Sequence, residues 1–218
     1  GLPDVPYYSK PEYQKIRDAY VAYIAKMLEL SGVPAADAAT QARVVLAFET
    51  RLAKVSKSSE AFSRDVGLYY NPISPAEADK LSPNFPFTRL FESQGVAVPA
   101  MFSLSVPAYH AEVSKMLAEV PAAQWKSYLR FHLLDGAAPY LSKDFVQANF
   151  EFYGKTLGGQ QELRERGKRV LGAIDGQVGE ALGQMYVKVA FPAESKAKMQ
   201  TLIKNLGDAL KLRIEGLE

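Results

Sequence analysis

Few side chains in this chain could carry chemistry. The 218 residues include two histidines, His110 and His132, and no cysteine. His110 and Glu112 are two apart, which puts them on different faces of a helix. His132 and Asp135 are three apart and share a face. Zinc takes at least three protein ligands of the His, Cys or carboxylate type, so either pair alone reads as ordinary surface or partly packed polar residues. Gly154-Lys155-Thr156 echoes the tail of a phosphate-binding loop, but position 149, where such a loop needs glycine, is Asn149, and the preceding segment has helical rather than strand spacing. Ser103 and Ser105 have no His or Asp at a spacing that would make a nucleophile. Arg164, Arg166, Lys168 and Arg169 form a basic cluster with Glu162 and Glu165 among them, a pattern that reads as a solvated helix face carrying i,i+4 ion pairs.

Composition narrows the class. Apolar residues make up 48% and charged residues 23%, with net charge +2. That is a globular make-up, long enough to bury a core. So small a charge is no nucleic-acid footprint, which would need a concentrated basic patch. A disulfide framework and a thiolate metal site are excluded. No apolar run approaches the ~20 residues of a membrane span, and the first residues lack the pattern of a signal peptide.

The elements that position these residues read mostly as helices. Ser9-Lys10-Pro11-Glu12 has the spacing of a capping box. It is followed by Ile16, Tyr20, Tyr23, Ile24, Met27 and Leu28 at helical intervals, with Gly32 as a stop. Pro34 opens a second helix with Ala38, Val45, Leu46 and Leu52 on its apolar face. Ser74-Pro75-Ala76-Glu77 is another capping box, opening a helix to Leu81, and 87–94 is a second short helix. Residues 96–106 are the strand candidate. Helices follow over 107–119, 122–135 and from Ser142 to Tyr153. The stretch 149–168 organises the whole: a helix bearing Phe145, Phe150 and Phe152 breaks at Gly154, crosses a turn at Gly158-Gly159, and restarts as a basic helix near Glu162. That helix runs to Tyr186 through Gly167, Gly172, Gly176, Gly179 and Gly183. Each interior glycine costs about 1 kcal/mol against alanine, so the five imply breaks or close packing against another helix. A last helix from Pro192 carries Met199, Leu202, Ile203, Leu206, Ala209 and Leu210 on one stripe. The expected fold is mainly α, a multi-helix packed domain over 1–218 with at most a short β segment near 96–106.

The spelling of that organising stretch resembles a known family. Phe152-Tyr153-Gly154-Lys155-Thr156-Leu157, Gly159-Gln160-Gln161, Arg166 and Lys168-Arg169-Val170 are similar to the middle of the neprilysin-like zinc metallopeptidases. Leu2-Pro3-Asp4 with Tyr7-Tyr8 resembles the family's opening Leu-Pro-x-x-x-Tyr-Tyr, and Glu49 with Leu52-Ala53 its Glu-x-x-Leu-Ala helix. Trp125-Lys126 with Tyr128-Leu129-Arg130 resembles its Trp-x-x-Tyr-Leu-Arg helix. Gly179, Gly183 and Tyr186-Val187 resemble its Gly-x-x-x-Gly-x-x-Tyr-Val run, and Phe191 with Ser195-Lys196 its Phe-x-x-x-Ser-Lys. The motifs stand in family order over nearly the whole chain. Gly167 departs from the pattern, standing where the family usually has Trp. The cysteine-free composition resembles bacterial rather than animal cell-surface members.

The resemblance implies a parent that is a zinc metalloendopeptidase of two lobes. The zinc would be held by His-Glu-x-x-His on one helix and a Glu from a later one, with the Glu between the histidines as general base. That motif is absent from this chain, which resembles the capping lobe, so zinc is expected in the full-length parent and not in this piece. The chain begins inside a motif, and Leu217-Glu218 stand where the family continues Leu-x-Trp-Met, so the sequence reads as part of a longer protein. Its expected partners are the C-terminal catalytic lobe of the same polypeptide and the parent's peptide substrates, with no nucleic acid and no membrane segment. Its expected role is to wall a chamber and limit substrate size, with no catalytic residue of its own. On this reading part of the basic face (Arg164, Arg166, Lys168, Arg169) lines the chamber and steers peptide carboxylates. Phe87 and Phe91, otherwise core with Phe85, Tyr69 and Tyr70, help to line it. The alternative is a free-standing helical binding or scaffold protein derived from such a lobe.

Overall fold

The structure, a computed structural model, describes residues 1–217; Glu218, half of the expected family junction at Leu217-Glu218, lies outside the described residues. Ten α-helices occur among them: α1 (Gln14–Leu30), α2 (Ala35–Ala53), α3 (Ser59–Arg64), α4 (Pro75–Leu81), α5 (Phe87–Ser93), α6 (Pro107–Glu119), α7 (Ala122–Ala137), α8 (Lys143–Asn149), α9 (Arg166–Ala190) and α10 (Ala193–Glu215). The chain is mainly α, as the spacing predicts. It divides into two compact units, Gly1–Leu163 and the segment from Arg164 onward.

The first unit is built around the α1–α2 pair. Tyr20, Tyr23, Ile24, Met27 and Leu28 of α1 recur at three and four residues and are buried. Ala38, Ala42 and Val45 of α2 meet them, along with Phe131 of α7 and Phe152. Alanines at two successive turns of α2 let α1 approach closely, while the aromatics fill the space towards α7. Burying each large side chain here stabilises by about 1.5–3 kcal/mol before entropy is counted. Farther along α2, Phe48 and Leu52 pack on Met116 of α6, with Trp125 and Tyr128 of α7 beside them. A satellite cluster holds Ala78, Phe87 and Leu104.

Several local expectations are corrected. The segment 96–106 yields only Phe102–Ser103 as strand (β2), paired antiparallel with Pro72–Ile73 (β1), Pro72 opposite Ser103 and Ile73 opposite Phe102. Proline has no N–H to give a ladder, which keeps this pairing short; two residues offer no alternation from which β1 could be read. The box at Ser74 forms, with Ser74 Oγ and Glu77 capping each other. The one at Ser9 does not: Lys10 precedes a 3₁₀ turn over Pro11–Tyr13 without a side-chain cap. That corner is instead held by Tyr7 stacked on Tyr13 at 4.1 Å and by Arg17, whose Nη1 donates to the Tyr7 and Lys10 carbonyls.

Helix α8 does not break at Gly154. It widens into a π-helix over Phe150–Leu157 that ends at Gly158. Gly154 is needed there for close approach: a Cβ would collide with the ring of buried Phe150. The turn falls at Gly159, with φ +67°, and the basic helix restarts at Arg166 rather than near Glu162.

The second unit consists of α9 and α10. Among its described residues none is buried. Val178 departs from helical geometry inside α9 (φ −134°, ψ 27°), so of the two explanations for the glycines, a break is realised at one point, between Gly176 and Gly179.

Candidate functional site

The densest polar constellation in the first unit is assembled on Glu49. The residue occupies a core position of α2, between Val45, Phe48 and Leu52, and is 6% exposed. A lone carboxylate there would cost several kcal/mol in lost hydration. Three partners offset that cost. Tyr20 Oη of α1 donates to Glu49 Oε1 at 2.9 Å. Tyr8 Oη donates to Oε2 at 3.0 Å and itself accepts from the Leu2 amide at 2.9 Å. His132 Nε2 of α7 lies 2.8 Å from Oε1, close enough for an ion pair but without the alignment of a directed hydrogen bond. One carboxylate thus ties the N-terminal segment, α1 and α7 to α2.

A second carboxylate sits one turn farther along α7. Tyr23 Oη donates to Asp135 Oδ1 at 2.7 Å and Tyr153 Oη to Oδ2 at 3.0 Å. Asn149 Nδ2 donates to Tyr23 Oη at 3.1 Å. The rings interlock, with Tyr23 stacked on Phe152 at 5.1 Å and Tyr153 edge-on to Tyr23 at 5.6 Å. His132 and Asp135 therefore share one helix, as their spacing predicts, yet take different partners.

Electrostatics follows from this packing. Burial first, and then the Glu49 carboxylate, pushes the Tyr8 and Tyr20 phenols far above the ordinary tyrosine range. Burial and Asp135 do the same to Tyr23 and Tyr153. Tyr128 is pushed up to about 12 by burial and Glu49. Tyr8, Tyr20, Tyr23 and Tyr153 thus stay protonated and act as hydrogen-bond donors. Beside Glu49 lies a cavity of about 380 Å³ lined by Leu2, Tyr8, Lys57, Tyr128 and His132 among others.

The donors do not fit zinc. Phenols surround Glu49, and His132 is the one imidazole near it. His110 is held apart, edge-on to Phe87 at 5.3 Å and to Tyr109 at 5.5 Å. Among the described residues no three His, Cys, Asp or Glu side chains converge as a metal site. What the arrangement can do is hold helices in register.

The residues singled out for a chamber lie in two places. Phe87 is 6% exposed, packed against Phe102 in the satellite cluster, and Phe91 is half-buried, edge-on to the same ring at 5.3 Å. Arg164, Arg166 and Lys168 are exposed at the start of α9, while Arg169 is partly covered. Arg169 Nε donates to the Arg164 carbonyl at 3.0 Å, and Lys168 lies 3.6 Å from Glu165. The i,i+4 pairing expected of this face is thus an i,i+3 contact. The Glu49 and Asp135 hubs escaped sequence reading. The available signal was a glutamate at an apolar position of α2 and tyrosines on the buried stripe of α1.

Several motif residues of the first unit converge here. Glu49 is the hub, and Leu52 and Ala53 beside it are buried. Trp125 and Tyr128 clasp Phe48 from two sides at 4.6 and 4.2 Å. Tyr8 reaches Glu49, and Phe152-Tyr153-Gly154 close over α1.

Comparison with known proteins agrees with the resemblance read from the sequence. The profile of peptidase family M13 matches residues 1–218. The neutral endopeptidase of Lactobacillus helveticus is 27% identical over 213 residues, covering 98% of this chain and 33% of that protein. Endothelin-converting enzyme-like 1 of Rattus norvegicus is 29% identical over 209 residues, 94% of this chain and 27% of its own length. In three dimensions, the zinc metalloprotease Zmp1 of Mycobacterium tuberculosis in its open state superposes with a TM-score of 0.84 at 32% identity, covering 100% of this chain and 34% of that one. PepO of Lactobacillus rhamnosis shares the fold, with a TM-score of 0.82 at 24% identity over 99% of this chain and 34% of its own. The chain spans about a third of the length of the relatives it matches.

Proposed function

The chain belongs to peptidase family M13, and from that premise we propose that it is the helical, non-catalytic lobe of a zinc metalloendopeptidase acting on oligopeptides. The zinc and the groups that activate water would be supplied by the C-terminal catalytic lobe of the same polypeptide, and this lobe would wall the substrate chamber and restrict what enters. The observation that carries the reading is the match of this entire chain to one third of a zinc metalloprotease at a TM-score of 0.84. The internal geometry supports it. The family-like motifs of the first unit are spent on a rigid helix knot around Glu49 and Asp135, as a wall requires.

The basic face at the start of α9 is the proposed substrate-facing element. A helix start carries partial positive charge, so cations there act against stability by about 0.3–1 kcal/mol each. Arg166 and Lys168 carry that cost at exposed positions in the first turn of α9, with Arg164 just before it and Glu165 at the N-cap offsetting it in part. Steering of peptide carboxylates gives them a purpose. Separately, on the first unit, Phe91, half-buried in the satellite cluster with Phe87, would add an apolar element to the wall.

The test uses the full-length parent and peptides of graded length, with free or amidated C-termini. Arg166→Gln with Lys168→Gln should raise KM for free-acid peptides and leave amidated ones unchanged, and folded proteins should resist cleavage. Equal KM changes for both peptide classes would remove the steering role. Ready cleavage of folded proteins would remove the size-restricting one.

A further inference from the structure

A groove of about 650 Å³ runs between α1 and the segment formed by α8 and the π-helix, and every residue lining it belongs to the first unit. Its floor is small and apolar: Ala19 and Ala22 of α1 and Ala148 of α8, beside the buried rings of Tyr23 and Phe152. Small-molecule sites have this size and this make-up, an apolar surface with a few placed polar groups. The π-helix forms one wall. Its wide turn brings Thr156 back over Glu151, and Thr156 Oγ1 donates to the Glu151 carbonyl at 2.8 Å. Such segments are rare and recur at functional sites.

The charges on the rim set the ligand class. Glu151 is already engaged, by Lys155 at 3.2 Å and by Gln147 Nε2 at 2.9 Å. Lys26 and Asp144 are not: among the described residues neither side chain has an ion pair or a hydrogen bond. The two stand towards the same end of the groove. Tyr20 packs on Phe152, while Tyr23, one turn later, meets both Phe152 and Asn149. The helices therefore pass in opposite directions, and Lys26, nearly a turn beyond Tyr23, comes alongside the turn of α8 that holds Asp144. We propose that the groove binds a free α-amino acid with an apolar side chain, its carboxylate on Lys26, its ammonium on Asp144 and its side chain on the alanine floor. An α-amino acid carries both charges on one carbon, which suits partners at one end; a peptide carries them at opposite ends. A ligand of a single charge would meet one partner and be repelled by the other. Because the groove lies wholly in the first unit, this site holds whether or not the lobe walls a chamber.

The test is calorimetric titration of the 218-residue chain and of the full-length parent with leucine, with amide chemical shifts followed on the shorter chain. Saturable binding is expected in both proteins, with shifts confined to α1, α8 and the π-helix. N-acetylleucine, which lacks the ammonium, and leucinamide, which lacks the carboxylate, should each bind at least about 10-fold more weakly, as should leucine to Lys26→Gln or Asp144→Asn. Ala22→Leu should fill the floor and remove binding while leaving the melting temperature unchanged. The analogue series needs no variant, so it stands even where a substitution disturbs the fold. Absence of saturable binding, or shifts elsewhere in the chain, overturns the proposal. Equal affinity for leucine and N-acetylleucine also overturns it, because the groove is then merely apolar. Tighter binding of leucylleucine to the 218-residue chain would replace the amino acid by a peptide, and binding to that chain but not to the parent would mean that the groove is covered there; either result overturns the assignment.

Discussion

Tyr20 Oη donates to Glu49 Oε1 at 2.9 Å, with Tyr20 fully buried and Glu49 nearly so. This bond joins α1 to α2 at the point where the N-terminal segment and α7 also arrive. The lobe is organised around an anion in its core, satisfied by groups from three other elements.

Removing the carboxylate should therefore cost far more than removing one donor. Glu49→Ala leaves two phenols and an imidazole without their partner and should destabilise by about 3–5 kcal/mol. Tyr20→Phe removes one bond to a charged group and should cost about 1.5–3 kcal/mol. Denaturant midpoints at constant slope would separate the two; equal losses would mean Glu49 is not the hub.

The buried tyrosines set an alkaline limit. Tyr8, Tyr20, Tyr23 and Tyr153 have folded-state values far above their unfolded values near 10. Above about pH 10 the unfolded chain releases phenolic protons that the folded chain keeps, so stability falls as pH rises, by at most about 1.4 kcal/mol per pH unit per tyrosine. The contribution of Tyr128 to this loss stops growing at about 12. Tyrosinate absorbance should therefore appear together with loss of helix signal. Gradual titration with the helices intact would contradict the packing described.

On the acid side, burial lowers the value of His110, with a hydrogen bond to the Ser105 backbone acting the other way. The unfolded state then binds the proton first. Its contribution is complete above about pH 6.5 and is lost as pH falls through the lower folded value. His110→Phe should flatten the fall of the melting temperature as pH drops below about 6.5. An unchanged slope would place the acid sensitivity elsewhere.

Two glycine substitutions should have opposite signs. Gly154→Ala puts a methyl into the ring of Phe150 and should destabilise by about 1–3 kcal/mol. Gly172→Ala meets open space, and in the 218-residue chain should be neutral or stabilising by up to about 1 kcal/mol. Thermal melts of the two variants are sufficient to compare them.

The helices were legible because apolar residues recur at three and four, as from Ile16 to Leu28, and because Ser74 and Glu77 spell a cap that forms. The strand was legible only at Phe102–Ser103, since its partner Pro72–Ile73 has no periodicity. Gly154 looked like a helix break because a close ring contact and a turn call for the same residue. The hubs were not legible: spacing along α7 sets which residues share a face, but whether His132 meets Asp135 or Glu49 depends on where α2 crosses. The family motifs were recognisable as spelling, and the structure gives the physical reason for several of them. Glu49, Trp125, Tyr128, Phe152 and Tyr153 are the residues that lock the helices together.

The central claim is that this chain is the non-catalytic lobe of a zinc peptidase. Zinc content and chelator-sensitive hydrolysis of a short-peptide mixture, measured side by side for the 218-residue chain and the full-length parent, test it most directly. The account predicts about one zinc per molecule and hydrolysis in the parent, and neither in the shorter chain. Stoichiometric zinc or hydrolysis in the 218-residue chain alone would contradict it, and His132 and His110 would be the first residues to replace.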